Sequence, residues 1–246
     1  MKSITKKLSL LIILSSVLFL SSCLSSGSNS YIGNGKLALI VQGSNNVYAR
    51  TEDKLYIISP EIKQLTPGSI VRLSFQVDFD EGKLVAVDAK NSAYEVELAG
   101  QPEELKQTEL QNSEAPDEPI VKFEFLSSPK YAQDDFFGDR WIFIYENAQE
   151  ESVNVNFYKA SEEDAKAMNT DVLIDVRLEV VGTAEKAVSE KKKDKYIVVN
   201  LSDLRKDFAN KADIDGNIKI KFRNYRIGNE NAEVSNYPLL MYIGKK

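Results

Sequence analysis

Apolar and polar residues alternate along much of the chain, and this period-2 pattern predicts a protein built from short β-strands. The clearest run is Val71–Phe79, in which every second residue is apolar. Further strand-like runs occupy residues 37–41, 47–50, 55–59 and 93–98. Five or six short strands within about 70 residues favour a small β-barrel or a compact sheet.

Glycine and proline mark the turns of this first block. Pro67 and Gly68 lie directly before the long run and predict a turn there. After the run, Gly82 is expected at positive φ in a turn over residues 80–83. Residues 84–89 are then predicted to return antiparallel to the long strand as a β-hairpin.

The alternation stops at residues 101–119, which contain six acids, one lysine and three prolines. We predict a short helix over residues 102–110, opened by the proline at its start. Residues 112–119 are rich in proline and acids, and they are predicted to link two domains. The predicted domains are therefore residues 31–111 and 120–246.

The alternation resumes after this segment and is clearest in residues 172–180, where five apolar side chains share one face. About seven strands at this spacing predict an antiparallel β-sandwich. Ser202 is expected to cap a short helix within the block. The chain as a whole is therefore predicted to be all-β. The other strand-like runs of this block begin near residues 121, 153, 196, 217 and 239.

The first 22 residues have the pattern of a signal peptide. Lysines open the segment, and an apolar run of 13 residues follows at positions 8–20, which is shorter than the roughly 18 residues needed to span a bilayer. The run ends in Leu-Ser-Ser-Cys, residues 20–23, which resembles the lipobox of bacterial lipoproteins. The resemblance implies cleavage before Cys23, a diacylglyceryl thioether on its sulfur and acylation, for example by palmitate, of the new amino terminus.

The residues around this cysteine also suggest a location. Residues 23–30 are rich in serine and glycine and are predicted to form a flexible tether. No aspartate follows Cys23 directly, so the familiar signal for retention in the inner membrane is absent, and no acidic cluster of the kind used for surface export follows either. We therefore expect an anchor in the outer membrane, with the periplasmic face favoured over the cell surface.

Charge and composition exclude several classes of function. Cleavage before Cys23 removes three lysines and no acids, which leaves 28 basic and 37 acidic residues and a net charge of −9. Such a charge opposes binding to nucleic acid. The chain has no histidine and a single cysteine, which excludes Ser-His-Asp and Cys-His catalysis and the usual zinc ligands. We expect no cofactor and no metal, and a glycosidase-like pair of carboxylates is the catalytic alternative that stays open.

The loop before residue 141 contains the strongest candidates for a binding surface. Tyr131, Phe136 and Phe137 lie there among aspartates, and the strand that follows, Trp141–Tyr145, is apolar on both faces. A strand of a sandwich needs only one buried face, so the second face packs against the first domain or the linker, or it binds a partner. Aromatic residues often anchor interfaces, which makes Tyr131, Phe136, Phe137 and Trp141 the candidate binding residues.

Three further segments carry charged residues of interest. Asp134, Asp135 and Asp139 could supply oxygen ligands to calcium, although a turn into the next strand is favoured. Residues 212–217 are similar to a calcium loop but lack its terminal carboxylates, so they predict a hairpin turn. Lys219, Lys221 and Arg223 form a basic stripe, which we expect acids on adjacent strands to offset.

The order of these segments resembles the NigD-like lipoproteins. The matching stretches are GNGKLALIV, PGSIVRLSFQV, DRWIFIY, YIVVNLSDL and GNIKIKFRNY. The resemblance implies an N-terminal OB fold over residues 31–111 and a C-terminal β-sandwich over residues 120–246. It also implies a role like that of a bacteriocin-immunity protein. Members of the family often carry a His-Asn pair in the sandwich, which a chain without histidine cannot supply.

The function predicted from the sequence is that of a non-enzymatic binding or accessory module at the cell envelope. Its expected partners are the membrane, through Cys23, and an envelope protein, a secreted peptide or a glycan. The alternatives are a glycan-binding component of a polysaccharide-uptake system, a structural envelope protein and a carboxylate-based hydrolase.

Overall fold

The structure, a computed structural model, describes residues 29–117, 121–132, 135–147, 153–180 and 195–244. The predicted signal peptide, Cys23 and nearly all of the tether lie outside the described residues. Among the described residues, no helix is both long and apolar enough to cross a membrane. The chain divides into two compact units, one ending at residue 102 and interrupted by residues 69–71, and the other formed by those three residues and the chain from residue 103 onward.

Within the described residues, the first sheet has eight strands in the order β5-β6-β3-β2-β1-β4-β7, with β8 paired to β4. β1 with β2, β2 with β3, β4 with β7 and β5 with β6 pair antiparallel, while β3 and β6 are parallel. Along β4, Leu73, Phe75 and Val77 are buried while the residues between them are not, as the alternation predicted. The strands are β1 (Ser30–Gln42), β2 (Val47–Thr51), β3 (Tyr56–Ile58), β4 (Ile70–Asp78), β5 (Leu84–Ala86), β6 (Ser92–Glu95), β7 (Glu97–Leu98) and β8 (Glu103–Glu104).

Both predicted turns of this unit are present, but the hairpin predicted after the second turn is wrong. Gly68 has a φ of +90°, as a glycine after Pro67 in a turn should. The hairpin of β4 with β5 does not form, because β5 pairs with β6 instead. Gly82 does not take positive φ. It is needed for space, because a Cβ there would lie 2.0 Å from the carbonyl oxygen of Asp78.

The second sheet has nine strands among the described residues, in the order β10-β11-β14-β9-β12-β13-β15-β16, with β17 paired to β15. The strands are β9 (Lys106–Gln111), β10 (Phe123–Leu126), β11 (Arg140–Asn147), β12 (Val153–Lys159), β13 (Val172–Val180), β14 (Lys195–Asn200), β15 (Asn217–Asn224), β16 (Glu233–Val234) and β17 (Leu239–Tyr242). Two short helices, α1 (Glu162–Ala167) and α2 (Ser202–Asp207), complete this unit.

This sheet folds over on itself, so that strands far apart in its order face each other across one core. The ring centroids of Phe143 on β11 and Phe222 on β15 lie 5.0 Å apart. The backbone N–H of Phe123 on β10 donates to the carbonyl oxygen of Tyr225, just after β15, at 2.8 Å. The layer β10-β11-β14 and the layer β12-β13-β15 are thus the two halves of a sandwich, joined through β9. The largest buried side chains of the shared core are Phe123, Trp141, Phe143, Phe157 and Phe222.

The all-β class with a barrel-like block and a sandwich is confirmed, and the sandwich sheet proves to be mixed. β9 is parallel to both β12 and β14, and β13 is parallel to β15. The predicted helix over residues 102–110 is wrong, because this segment forms β8 and β9. Residues 103–111 belong to the second unit, and residues 112–117 follow β9 outside any strand.

The helices of the second unit differ from the prediction in detail. α2 is present, but it begins at Ser202 and has Leu201 at its N-cap, so Ser202 does not cap it. α1 was not predicted. Its N-cap is Ser161, whose hydroxyl accepts from the backbone N–H of Asp164 at 3.1 Å. A serine followed by three acids is a helix-start signal that could have revealed it.

A buried ion pair ties two parallel strands of the sandwich together. Asp175 on β13 is buried, and Arg223 on β15 donates to its two carboxylate oxygens at 2.6 and 2.7 Å. Arg223 also lies 2.9 Å from a carboxylate oxygen of Asp164 in α1. The hydrogen bonds to Asp175 raise the pKa of Arg223 above its already high ordinary value. The expected offset of the basic stripe is therefore confirmed at Arg223.

We expect Asp175→Asn to destabilise the second unit far more than Asp164→Asn does. The first change removes the buried carboxylate that accepts two hydrogen bonds from Arg223 and leaves Asp164 as the remaining acidic partner, so it should lower the free energy of unfolding by about 3 kcal/mol. The second removes an acid whose side chain is 46% exposed and should cost less than about 1 kcal/mol. Urea unfolding followed by the fluorescence of Trp141, the single tryptophan, measures both. Equal losses would contradict the assignment of Asp175 as the main partner of Arg223.

Candidate ligand-binding cleft

The aromatic residues predicted to bind a partner cluster together but face inward. The ring of Phe137 contacts those of Tyr131 and Phe136 edge-on, with centroid distances of 5.0 and 4.7 Å. Phe136, Phe137 and Trp141 are 8%, 0% and 1% exposed, and Tyr131 is half-buried. One face of β11 is buried, and the other is buried at Ile142 and half-buried at its remaining residues, so this group of aromatics contributes to packing of the interior. Its burial does not support the predicted role as a binding surface.

The acids considered as calcium ligands are engaged elsewhere or lie outside the described side chains. Asp139 accepts from the guanidinium of Arg205 at 2.7 Å, while Asp134 and the side chain of Asp135 are not described. The Asp213 carboxylate accepts from the backbone N–H groups of Asp215 and Asn217 at 3.0 and 2.8 Å, which makes it a turn residue. The predicted hairpin is wrong, because this turn connects α2 to β15. The described part of the chain contains no cluster of three or more His, Cys, Asp or Glu residues that could hold a metal.

A cleft of about 650 Å³ opens in the second unit and is the best candidate for a functional site. One wall is the segment Ser127–Pro129, which leaves β10, and the other is Ser235–Leu239, between β16 and β17. Phe143 and Phe222 form the apolar base. The volume lies within the range of about 300–1,000 Å³ that is usual for small-molecule sites. The remaining lining residues are Leu126, Asn224, Glu233 and Val234.

The second wall of this cleft is a bulge in the edge strand of the sheet. β16 and β17 both pair with β15, and Ser235 continues the pairing of β16 by donating to the carbonyl oxygen of Phe222 at 2.9 Å. The next pair is Leu239 with Ile220. Three residues, Asn236–Pro238, therefore face only Lys221 on β15. Pro238 suits this position, because a proline has no N–H to contribute to a ladder.

The bulge holds an aromatic side chain out into solvent. Tyr237 is 83% exposed and lines the cleft together with Asn236. The sequence analysis did not predict a role for Tyr237, because the larger group of aromatic residues before residue 141 was the stronger indication of an interface. The available signal was the Ser-Asn-Tyr-Pro sequence at 235–238, since turn residues before a strand-like run indicate a bulge or loop.

The polar groups around the cleft offer hydrogen bonds and little charge. The Oδ1 atom of Asn224 is buried and has no hydrogen-bond partner among the described residues. The hydroxyl oxygens of Ser127 and Ser235 accept from backbone N–H groups at 2.9 and 3.1 Å, which leaves each hydroxyl proton available for donation. Glu233 is the single charged residue among the described lining residues, and it lies 3.5 Å from Arg226. This arrangement suits an uncharged polar ligand.

A second cavity of about 230 Å³ lies between α1 and the end of α2. The ammonium groups of Lys159 and Lys211 lie 5.3 and 5.1 Å from the centroid of the Phe208 ring. Lys159 is also 3.1 Å from a carboxylate oxygen of Asp207. These contacts hold two lysines against the protein, and the cavity is about a third of the volume of the cleft.

Comparisons with known proteins support the fold. No protein-family model matches the chain, and no curated protein matches it. Among the similar solved structures is an uncharacterised protein from Parabacteroides merdae, with a TM-score of 0.55 and 14% identity over 87% of this chain and 100% of that one. A NigD-like immunity protein from Bacteroides caccae has a TM-score of 0.44 and 10% identity over 83% of this chain and 91% of that one. A proposed lipoprotein from Bacteroides fragilis has a TM-score of 0.47 and 10% identity over 88% of this chain and 99% of that one. A NigD-like protein is among the structural neighbours, and the likeness to the Parabacteroides merdae protein, at 14% identity, is one of fold.

Proposed function

We propose that this protein is a lipid-anchored envelope protein that binds a ligand in the cleft of its second unit without converting it. The observation that carries the proposal is the cleft itself: an apolar base, hydrogen-bonding walls and the exposed ring of Tyr237, in a volume suited to a small ligand. Such a combination of an apolar surface with a few polar groups is typical of binding sites.

The chemistry of the cleft favours binding over catalysis. Hydrolysis by carboxylates alone requires two of them flanking the scissile bond, whereas Glu233 is the single carboxylate among the described lining residues. Glu233 also accepts a hydrogen bond from the side-chain amide of Asn229 and lies close to Arg226. Asn229 and Arg226 hold the carboxylate of Glu233 in place, so that this carboxylate can accept hydrogen bonds from a ligand.

The sequence supports an anchor at Cys23. Two or more acyl chains give stable membrane attachment where a single chain is marginal, and the lipobox-like residues 20–23 match the pattern for such a modification. We propose the outer membrane as the location, with the periplasmic face favoured. The envelope then supplies the partner, and a role in immunity to a bacteriocin stays a prediction from the family resemblance.

Cys23→Ala is expected to abolish the anchor. The variant should carry no label from radioactive palmitate, and it should be found as an uncleaved precursor or in the soluble fraction. Ser26→Ala, a change three residues further along the tether, is the matched control and should be labelled and fractionate like the unaltered protein. Palmitate labelling of the Cys23→Ala variant would contradict the assignment.

A bulky residue in the wall of the cleft is expected to block binding. Full-length protein in detergent is titrated with uncharged oligosaccharides, acidic oligosaccharides and short peptides, and calorimetry measures each affinity. Ser128→Trp should weaken the binding of the ligand at least about tenfold, or about 1.4 kcal/mol, because the indole fills the cleft. Ser44→Trp, at an exposed serine of the first unit, is the control and should leave the affinity unchanged.

Two results would contradict the proposed function. One is binding that Ser128→Trp does not weaken, after circular dichroism has shown that the variant is folded. The other is turnover, seen by mass spectrometry as a new product after incubation with any member of the panel.

A further inference from the structure

We infer that the ligand of the cleft is an uncharged saccharide, one ring of which stacks on Tyr237; the inference rests on the proposed function. The argument starts from that exposed ring. A tyrosine ring that is 83% exposed leaves apolar area in contact with water, and covering it is favourable. A sugar ring presents a face of C–H groups with hydroxyls at its rim, so it can cover the aromatic face while its hydroxyls reach the polar groups nearby.

The bulge fixes the backbone position of Tyr237 before a ligand arrives. On one side, two hydrogen bonds hold Ser235 to Phe222. The backbone N–H of Ser235 donates to the carbonyl oxygen of Phe222 at 2.9 Å, and the hydroxyl oxygen of Ser235 accepts from the backbone N–H of Phe222 at 3.1 Å. On the other side, Pro238 has a restricted φ, and β17 begins directly after it. An aromatic side chain has two rotatable bonds, so its ordering costs little entropy on binding. The backbone that carries Tyr237 is therefore held in place, and a ligand can order the ring at a small entropic cost.

The polar groups of the cleft match sugar hydroxyls. Glu233 contributes an acceptor, while Ser127 and Ser235 retain hydroxyl protons to donate. A hydroxyl group donates and accepts at once, so one class of ligand group can satisfy all three.

Charge argues against an anionic ligand. The described lining residues include no lysine or arginine and one acid, Glu233. A phosphate, sulfate or uronic acid in the cleft would lose hydration without gaining an ion pair. The net charge of −9 that remains after removal of the signal peptide also disfavours the approach of an anion.

The interrupted edge strand argues against a peptide. A peptide that extends a sheet needs a continuous row of unpaired backbone groups. Here β16 has two residues, Glu233 and Val234, and the bulge at Asn236–Pro238 separates it from β17. The wall of the cleft therefore presents side chains and not a ladder.

The test uses full-length protein in detergent and a panel of neutral oligosaccharides, sulfated or uronic-acid oligosaccharides and short peptides, with calorimetry as the measurement. We expect a neutral oligosaccharide to bind, and Tyr237→Ala to weaken that binding at least about tenfold. Tyr237→Phe keeps the ring and should retain the affinity within about threefold. Tyr242→Ala is the matched control, because Tyr242 is an exposed tyrosine of β17 that does not line the cleft.

The panel separates the inference from the proposed function. If the protein binds a peptide or an acidic oligosaccharide and Ser128→Trp blocks that binding, the inference of an uncharged saccharide is wrong. The proposal that the cleft binds a ligand would then still hold. Neutral oligosaccharide binding that Tyr237→Ala does not weaken would overturn the stacking on Tyr237. Binding that neither Ser128→Trp nor Tyr237→Ala weakens would overturn both the inference and the proposed function.

Discussion

The parallel pairing of β9 with both β12 and β14 is the interaction on which the second unit depends. Lys106–Glu109 pair with residues 197–200 of β14, and Leu110 and Gln111 pair with Phe157 and Tyr158 of β12. One strand thus supplies hydrogen bonds first to one layer of the sandwich and then to the other. Without β9, the sheet order would fall into two pieces, β10-β11-β14 and β12-β13-β15.

The cleft follows from this connection. Because the joined sheet folds over, Phe143 on β11 meets Phe222 on β15, and their rings become both core and base of the cleft. The ends of the sheet approach each other where Phe123 exchanges backbone hydrogen bonds with Tyr225 and Ile227. The segment Ser127–Pro129 then stands opposite the edge strand. The bulge in that edge strand leaves space between it and Ser127–Pro129, and this space is the cleft.

Most strands of the fold could be predicted, because the apolar and polar residues within each strand follow its pattern of burial. Along β4 from Leu73 onward, buried residues alternate with less buried ones, and hydrophobic burial explains that alternation. In β13 the sequence alternates in the same way, although Val172–Val176 are all buried. β9 could not be predicted in this way. Its residues are mostly polar, with Leu110 alone buried, and its partners β12 and β14 lie far along the chain. Its strand state is set by tertiary hydrogen bonds, which leave no local pattern in the sequence.

The candidate site shows the same limit. Phe136, Phe137 and Trp141 drew attention because aromatics often anchor interfaces, yet dense apolar sequence more often fills a core, as it does here. Tyr237 has no other aromatic residue beside it in the sequence. Its exposure depends on the bulge that separates β16 from β17 along β15. The bulge is a property of three strands together, so its sequence indicates an irregularity but not which side chain it exposes.

The measurement that tests this account most directly is backbone hydrogen exchange of the full-length protein across residues 106–117. The account predicts that the amides of β9 that are hydrogen-bonded to β14 or β12 exchange slowly, because residues 106–109 pair with β14 and residues 110–111 pair with β12. Residues 112–117, which follow outside any strand, should exchange much faster. Rapid exchange throughout residues 106–111, equal to that of residues 112–117, would show that the segment is not a central strand and would contradict the account.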